Sequence, residues 1–544
     1  MWFVGVLLAL IALTALSRWP LVREGLWRDE ALGAFIAQSP SLKVFFDRSR
    51  ISDYNPPLFN GLIAVWGSIA GFEERSLKVF ALLWGLAAVG GVALLATELF
   101  GRPAGLISAV AASTNPILIG LSAELRPYSL SVVLATVSLT LVLRLRLQPG
   151  DRPRRLRWIP LSISLALLAY SHLAGVLVAM VVGMVGILIS IRPRTRRFGI
   201  GLAASATIAG LAFLPWLPTS LRQSQVGLPW ESHLSPGARW TLLLDRTPEV
   251  VPLVGMVMIS AMAALIGYPP ARVRLREKAF GFRLIGACGL SVLLTLGSYS
   301  PSSRYLVIPA ALFAVLVGGA LALAWDSVTS SRLSVRVVGI AGVSLFLIGT
   351  LLVRIPLYLD IFERDRLGLP KSGVRTLCRD HHFVRDDVVL VAPDHLALTV
   401  WYYCKPEPSL HGFVRWENPN LFDPRGYPEL WASPTAVPRT WSHVARELEA
   451  KTRARFYLVW DSESDAPPLF YSRRVNALRQ ALSERYSERE STFYAGRFEH
   501  VGFTDYGSLT SIRREIRGNV PESEQSLEAG SRRDAHREGT RRPQ

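Results

Sequence analysis

Residues 56–72 read Pro-Pro-Leu-Phe-Asn-Gly-Leu-Ile-Ala-Val-Trp-Gly-Ser-Ile-Ala-Gly-Phe. The stretch is apolar enough to cross a bilayer. It opens on two prolines, however, and its 17 residues are at the lower edge of what a hydrocarbon core of about 30 Å demands. Charge decides how it lies. With 56–72 resting on the surface, three arginine-rich stretches fall on one side of the membrane: 144–157 (Arg144, Arg146, Arg152, Arg154, Arg155, Arg157), 192–197 (Arg192, Arg194, Arg196, Arg197) and 272–283 (Arg272, Arg274, Arg276, Lys278, Arg283). Basic loops favour the cytoplasm, so that side is the inner one. With 56–72 crossing, all three stretches face outward. The segment is therefore read as an interfacial helix within a long outer loop, residues 18–75. The N-terminus is then cytoplasmic, and the chain after its last span is extracytoplasmic.

Working outward from that segment, apolar blocks, most of them about 17–23 residues long, give spans at 2–17, 76–98, 103–122, 128–147, 158–171, 173–191, 198–217, 250–268, 280–298, 304–325 and 333–353. The run 158–191 is too long for one crossing and divides at its only polar interruption, Tyr170-Ser171-His172. Residues 1–17 are kept as a span because no Lys or Arg precedes the apolar run and no small-residue cleavage pattern follows it. Half of the 544 residues are hydrophobic, and mean hydropathy is +0.29. The net charge of +18 is not a nucleic-acid signature, since most of the arginines sit in short loops between apolar blocks. The expected architecture is an integral membrane all-α helix bundle of about eleven spans, residues 1–355, followed by a small soluble α/β domain, 356–510.

In that domain 387–392 and 455–460 read as buried strands, with helical patterns near 395–403, 439–451 and 473–486. Residues 511–544 carry eight arginines and six acids with few apolar residues, the composition of a disordered tail. Three cysteines give no metal-cluster spacing and no disulfide framework. Cys378 and Cys404 both fall in the C-terminal domain. They could pair if it is extracytoplasmic, or be a coincidence of two thiols.

Five polar spots fall at the outer ends of the spans. Leu26-Trp27-Arg28-Asp29-Glu30-Ala31 places two carboxylates at the membrane surface, although Asp29 also reads as the cap of a surface helix. Asp53-Tyr54-Asn55-Pro56-Pro57 leads into the interfacial segment, where the prolines also read as a helix start. Glu124-Leu125-Arg126-Pro127-Tyr128 joins the third and fourth spans, and Arg and Tyr there also read as interfacial anchors. Tyr170-Ser171-His172 and Ser302-Ser303-Arg304-Tyr305 complete the set. Gathered on one face, a carboxylate pair, arginines and aromatics suit a reaction on a lipid phosphate whose tail stays in the bilayer.

At these residues the chain resembles the GT-C superfamily of polyprenyl-phosphate-dependent glycosyltransferases. It looks most like the branch (family 39) that holds protein O-mannosyltransferases, the aminoarabinose transferase of lipid A and the Rhizobium lipopolysaccharide core transferases. The likeness lies in Asp29-Glu30, Asn55-Pro56-Pro57-Leu58, Arg126-Pro127-Tyr128, Ser171-His172 and Arg304-Tyr305, and covers about residues 1–355. Asn55 stands where relatives carry His or Lys, and Lys78 where they tend to carry Arg. The resemblance implies Asp29 as general base, with Glu30 beside it in the catalytic pair. It implies Arg126, Arg304 and Lys78 as contacts to the donor phosphate. It further implies Tyr128, His172, Tyr305, Glu124, Asp53 and Asn55 as substrate contacts. The donor would be a polyprenyl-phosphate sugar, and the acceptor an envelope glycan, lipid or protein. No cofactor and no metal are expected, although a divalent cation is compatible with the chemistry. Three other classes compete: a ligase or polymerase using diphosphate-linked donors; a transporter or flippase, against which the near absence of charges within spans speaks; and a structural or assembly protein whose bundle only anchors the outer domain, for which eleven spans are far more than needed.

Overall fold

The computed structural model describes residues 2–147, 155–226, 235, 237, 269–299, 303–329, 355–368, 370–392, 396–405, 408–411, 455–461, 472–483, 488–497 and 499–508. The described residues divide into two units, one running to Gly368 and the other from Pro370 onward.

The first unit is helical. In chain order its helices are α1 (Trp2–Arg18), α2 (Pro20–Arg23), α3 (Arg28–Ala37), α4 (Leu42–Ser52), α5 (Leu58–Ala70), α6 (Glu74–Phe100), α7 (Arg102–Thr114), α8 (Pro116–Gly120), α9 (Tyr128–Leu147), α10 (Ile159–Ser171), α11 (Leu173–Ser190), α12 (Arg196–Phe213), α13 (Leu217–Val226), α14 (Pro269–Tyr299) and α15 (Val307–Thr329). Among the described residues five helical stretches are long and apolar enough to cross a membrane: Trp2–Arg23, Glu74–Phe100, Tyr128–Arg146, Leu173–Ser190 and Arg304–Leu323. Large apolar side chains on their outer faces are exposed, among them Leu13, Leu16, Met180 and Ile187. In water these would be costly, whereas in lipid they are solvated.

The proline-led segment forms α5, whose 13 helical residues span about 20 Å. It buries Phe59, Asn60, Ile63 and Gly67 and leaves Val65 and Ile69 exposed, so one apolar face packs and the other does not. The expected span at 103–122 is broken. Pro116 has no N–H to give to a continuous helix, and Asn115 Oδ1 accepts from the amides of Ile117 and Leu118 at 3.0 and 3.2 Å, ending α7 and starting α8. The basic stretch 272–283 is not a loop, since it lies within α14. That helix has 31 residues and a length of about 46 Å, well beyond a hydrocarbon core. The expected spans 250–268 and 333–353, the helix near 439–451 and the tail 511–544 lie outside the described residues.

Inside the bundle α7 packs between α6 and α15, α9 lies against α6 and α10, and α11 pairs with α12. The core contains Val92, Ala96, Val132, Leu139, Leu165 and Val315. Because lipid is as apolar as leucine, close approach and hydrogen bonds hold such helices together. Ser138 Oγ meets Ser164 Oγ at 2.7 Å between α9 and α10, and Thr14 Oγ1 meets Ser113 Oγ at 2.8 Å between α1 and α7. The buried Arg18 donates to the carbonyls of Ala112 and Ser113, closing the last turn of α7.

The second unit holds a five-stranded sheet in the order β2-β1-β3-β5-β4, from β1 (Val388–Ala392), β2 (Ser409–His411), β3 (Arg455–Asp461), β4 (Glu490–Tyr494) and β5 (Val501–Ser508). β1 is parallel to β2 and β3, while β5 is antiparallel to both β3 and β4. Both faces are covered, consistent with the continuous apolar run of β1. Cys378 and Cys404 are joined in a disulfide.

A side chain at Gly318 would meet the Ala104 carbonyl at 2.7 Å and the backbone of Ser108, so α15 and α7 touch nearly backbone to backbone. Gly318→Val is expected to cost about 1–3 kcal/mol by overpacking. It should appear as a lower unfolding temperature in detergent, and an unchanged temperature would contradict this packing.

Candidate active site

Three segments converge around one buried ion pair. After α2 the chain turns at Gly25, whose φ of +82° suits glycine, and α3 begins at Arg28 with Asp29 and Glu30 in its first turn. Glu30 Oε2 reaches back to accept from the Trp27 amide at 3.3 Å, satisfying an orphan donor at the helix start. Glu30 Oε1 accepts from Lys78 Nζ of α6 at 2.6 Å and from the Leu125 amide at 2.8 Å. Lys78 Nζ also donates to the Ala123 carbonyl at 3.0 Å. Both charged side chains are completely buried (0% exposed). Glu30 is therefore turned inward, away from its neighbour Asp29, and Lys78 Nζ is directed at Glu30 and the Ala123 carbonyl.

Asp29 points the other way. Its Oδ2 accepts from Arg304 Nη1 at 2.8 Å, and its Oδ1 lies 3.8 Å from Arg28 Nε. The side chains of Asp29 and Arg304 are 31% and 35% exposed, open enough to meet a ligand. The Arg304 guanidinium sits 4.7 Å from the centre of the Trp27 ring, and that of Arg28 sits 5.4 Å from it. Burial alone would push the Asp29 carboxyl up. Arg304, Arg126 and Arg28 outweigh it and hold the group below the ordinary carboxylate range.

Arg126 lies in the loop between α8 and α9. It donates to the Asp29 carbonyl at 3.3 Å and pairs with Asp53 at 3.4 Å. Burial opposes its charge, but Asp53, then Tyr128 and Asp29, raise its pKa. Asp53 is itself held in place. Its Oδ1 accepts from the amide and the side chain of Asn55, both at 3.1 Å, in an Asx turn, and its Oδ2 accepts from Asn60 Nδ2 at 3.0 Å. Asn55 thus orders the turn before the twin prolines. Glu124 is buried in the same loop as Arg126.

The aromatic side of the cluster comes from three helix starts. The His172 ring lies 5.7 Å from that of Tyr128 and 6.0 Å from that of Tyr305. His172 Nδ1 accepts from the Ala174 amide at 3.0 Å, which caps α11 and puts the ring's proton on Nε2. Burial, helped by Arg126, pushes this imidazole down to about 4, so it is a neutral donor at physiological pH. Two residues outside the expected site also belong here. Trp27 carries the two guanidiniums, and its place beside Asp29 is the only sequence signal for it. Asn60, which holds Asp53, has no such signal.

The site gives an anionic carboxylate beside an accessible arginine, flanked by a second arginine and a neutral imidazole. Among the described residues no group of three or more His, Cys, Asp or Glu could hold a metal ion.

Residues 54–218 match the family model described as dolichyl-phosphate-mannose-protein mannosyltransferase. Among solved structures the chain is similar to ArnT from Cupriavidus metallidurans in its apo state. The identity is 15% and the TM-score 0.57, over 93% of this chain and 98% of that one. The same protein bound to undecaprenyl phosphate matches equally, with coverage of 92% and 98%. The archaeal oligosaccharyltransferase AglB from Archaeoglobus fulgidus, in complex with an inhibitory peptide and a dolichol-phosphate, matches at 12% identity with a TM-score of 0.52. That match covers 94% of this chain and 77% of AglB. No curated protein matches the sequence. All these matches fall in the GT-C superfamily, in agreement with the resemblance read from the sequence, and the chain shares its fold.

Because its pKa is depressed in the folded protein, ionised Asp29 contributes stability at neutral pH that is lost as pH falls through its folded value. Arg304→Met removes the largest opposing charge and leaves burial less opposed. Asp29 should then take up its proton at a higher pH than in the parent, seen as an upward shift of the pH at which a carbodiimide modifies it. Equal reactivity in the two proteins would show that Arg304 does not control Asp29.

Proposed function

We propose that this chain is a membrane-embedded glycosyltransferase that moves a sugar from a polyprenyl-phosphate donor to an acceptor hydroxyl or amine at the extracytoplasmic face, with inversion. The carrying observation is Asp29 held 2.8 Å from the accessible Arg304. This pairs a base for the incoming nucleophile with a cation for the departing phosphate.

Asp29 takes the proton from the acceptor as its oxygen or nitrogen bonds to the anomeric carbon. The bond from that carbon to the phosphate oxygen breaks, and its electron pair leaves with polyprenyl phosphate, which gains one negative charge. Arg304, set on the Trp27 ring, stabilises that charge, with Arg126 and the Nε2 proton of His172 nearby. No metal is needed for a single added charge. Each Asp29 oxygen faces a guanidinium, which makes it a weak base. A donor phosphate that draws Arg304 off Oδ2 strengthens the base as the donor arrives.

Support for the lipid donor comes from the fold-alike ArnT and AglB structures, described as bound to undecaprenyl phosphate and to a dolichol-phosphate. The outward placement rests on two supports. α5 is too short to cross unaided, and a disulfide such as Cys378–Cys404 persists in an oxidising compartment. On this reading the chain is a multi-pass protein of the plasma (inner) membrane with about eleven spans. Its N-terminus is cytoplasmic and its sheet-containing unit extracytoplasmic, and membrane lipids and an envelope glycan, lipid or protein acceptor are its partners.

Asp29→Asn should abolish sugar transfer from lipid-phosphate donors in detergent while membrane insertion is kept. Binding of the unglycosylated polyprenyl phosphate should be at least as tight as in the parent, because Arg304 no longer serves a competing carboxylate. Near-normal turnover in the variant would remove Asp29 from the chemistry.

A further inference from the structure

We propose that Lys78 is a positioning residue for Asp29, acting through Glu30, and that it makes no contact with the donor phosphate. The proposal deepens the glycosyltransferase reading and rests on it. A basic residue at the start of a span beside the site invites a phosphate-binding role. The structure directs its charge elsewhere. Lys78 Nζ is bonded to Glu30 Oε1 at 2.6 Å and to the Ala123 carbonyl at 3.0 Å, and neither charged side chain has any exposed surface.

What the pair touches explains what it does. Glu30 accepts from the amides of Trp27 and Leu125, and Lys78 donates to the carbonyl of Ala123. Trp27 is the ring beneath Arg304 and lies two residues before Asp29. Ala123 and Leu125 flank Glu124, and Leu125 precedes Arg126. One buried pair thus joins the base, the platform of the accessible arginine and the loop of the second arginine to the long helix α6. A buried charge that loses its partner pulls in water or shifts the backbone to find one. Any such shift passes first to Trp27 and to the loop 121–127, and from these to the spacing between Asp29 and Arg304.

The test compares Lys78→Met, Glu30→Gln, the double variant and Lys78→Arg with the parent. The measurements are kcat and KM with a lipid-phosphate sugar, and the Kd for unglycosylated polyprenyl phosphate. A misplacement of about 1 Å is worth on the order of a hundredfold in rate, so Lys78→Met should lose about that much kcat. Its Kd for the lipid phosphate should stay within about threefold, since a phosphate ligand's charged hydrogen bond is not being removed. The double variant, with no charge left buried alone, should recover about tenfold or more of the lost kcat. It is also the arm that folds if the single variants do not, and a parent-like Kd there supports the proposal. A Kd weakened about tenfold or more in Lys78→Met or the double variant, or a double variant no faster than the single, overturns it. If the parent chain itself binds no polyprenyl phosphate, the glycosyltransferase reading fails and this proposal falls with it. Intact parental binding without rescue defeats this proposal alone.

Discussion

The constraint on which this site depends is the desolvation of two opposite charges, Glu30 and Lys78, buried where α3, the start of α6 and the loop before α9 meet. Neither touches solvent, so each must find its bonds inside the protein, and together they draw in the backbone of Trp27, Ala123 and Leu125. Breaking such a pair from one side costs about 3–5 kcal/mol, far more than any exposed ion pair contributes. That cost makes the junction of α3, α6 and the loop before α9 a fixed frame. The neighbouring acid, Asp29, can then be left partly open without becoming loose.

The proposed function rests on the contrast between the two adjacent carboxylates. Consecutive residues at a helix start point in different directions, so Glu30 faces the bundle and Asp29 faces the opening. The inner one is neutralised by a lysine. The outer one is held ionised by arginines, one of which stands on an aromatic ring with about a third of its side chain accessible. An ion pair left accessible is weak as a structural device, and under the proposed function its value lies in exchange, Arg304 taking a phosphate in place of Asp29. The second arginine, Arg126, faces Asp53 in a pair that is nearly buried, and is less available for such an exchange.

Much of this candidate site was legible in the sequence, because polar spots that recur at the same ends of successive apolar blocks are brought together when the blocks pack side by side. Asp29, Arg126, Tyr128, His172, Arg304 and Tyr305 lie together in the structure. The direction in which a residue points was not legible. Lys78 sits one turn into a helix whose first residues are charged, and nothing in Glu-Glu-Arg-Ser-Leu-Lys distinguishes a buried lysine from an exposed one. Asn60 looks like one polar residue in an apolar run until Asp53 is seen against it. Hydropathy also hid the break at Asn115-Pro116, because the residues on both sides are apolar and only the missing proline N–H ends the helix. The charge of 272–283 reads as a loop, although arginines are good helix formers and extend α14 past its apolar part.

The most direct measurement is an experimental structure of the chain with a polyprenyl monophosphate bound in a lipid nanodisc. The phosphate should lie within hydrogen-bond distance of the Arg304 guanidinium, on the side of that group away from Trp27, with the Asp29 carboxylate beside it and the isoprenoid tail running down the bundle. A phosphate bound instead among Arg192, Arg194, Arg196 and Arg197, at the far end of α11, would contradict the whole assignment.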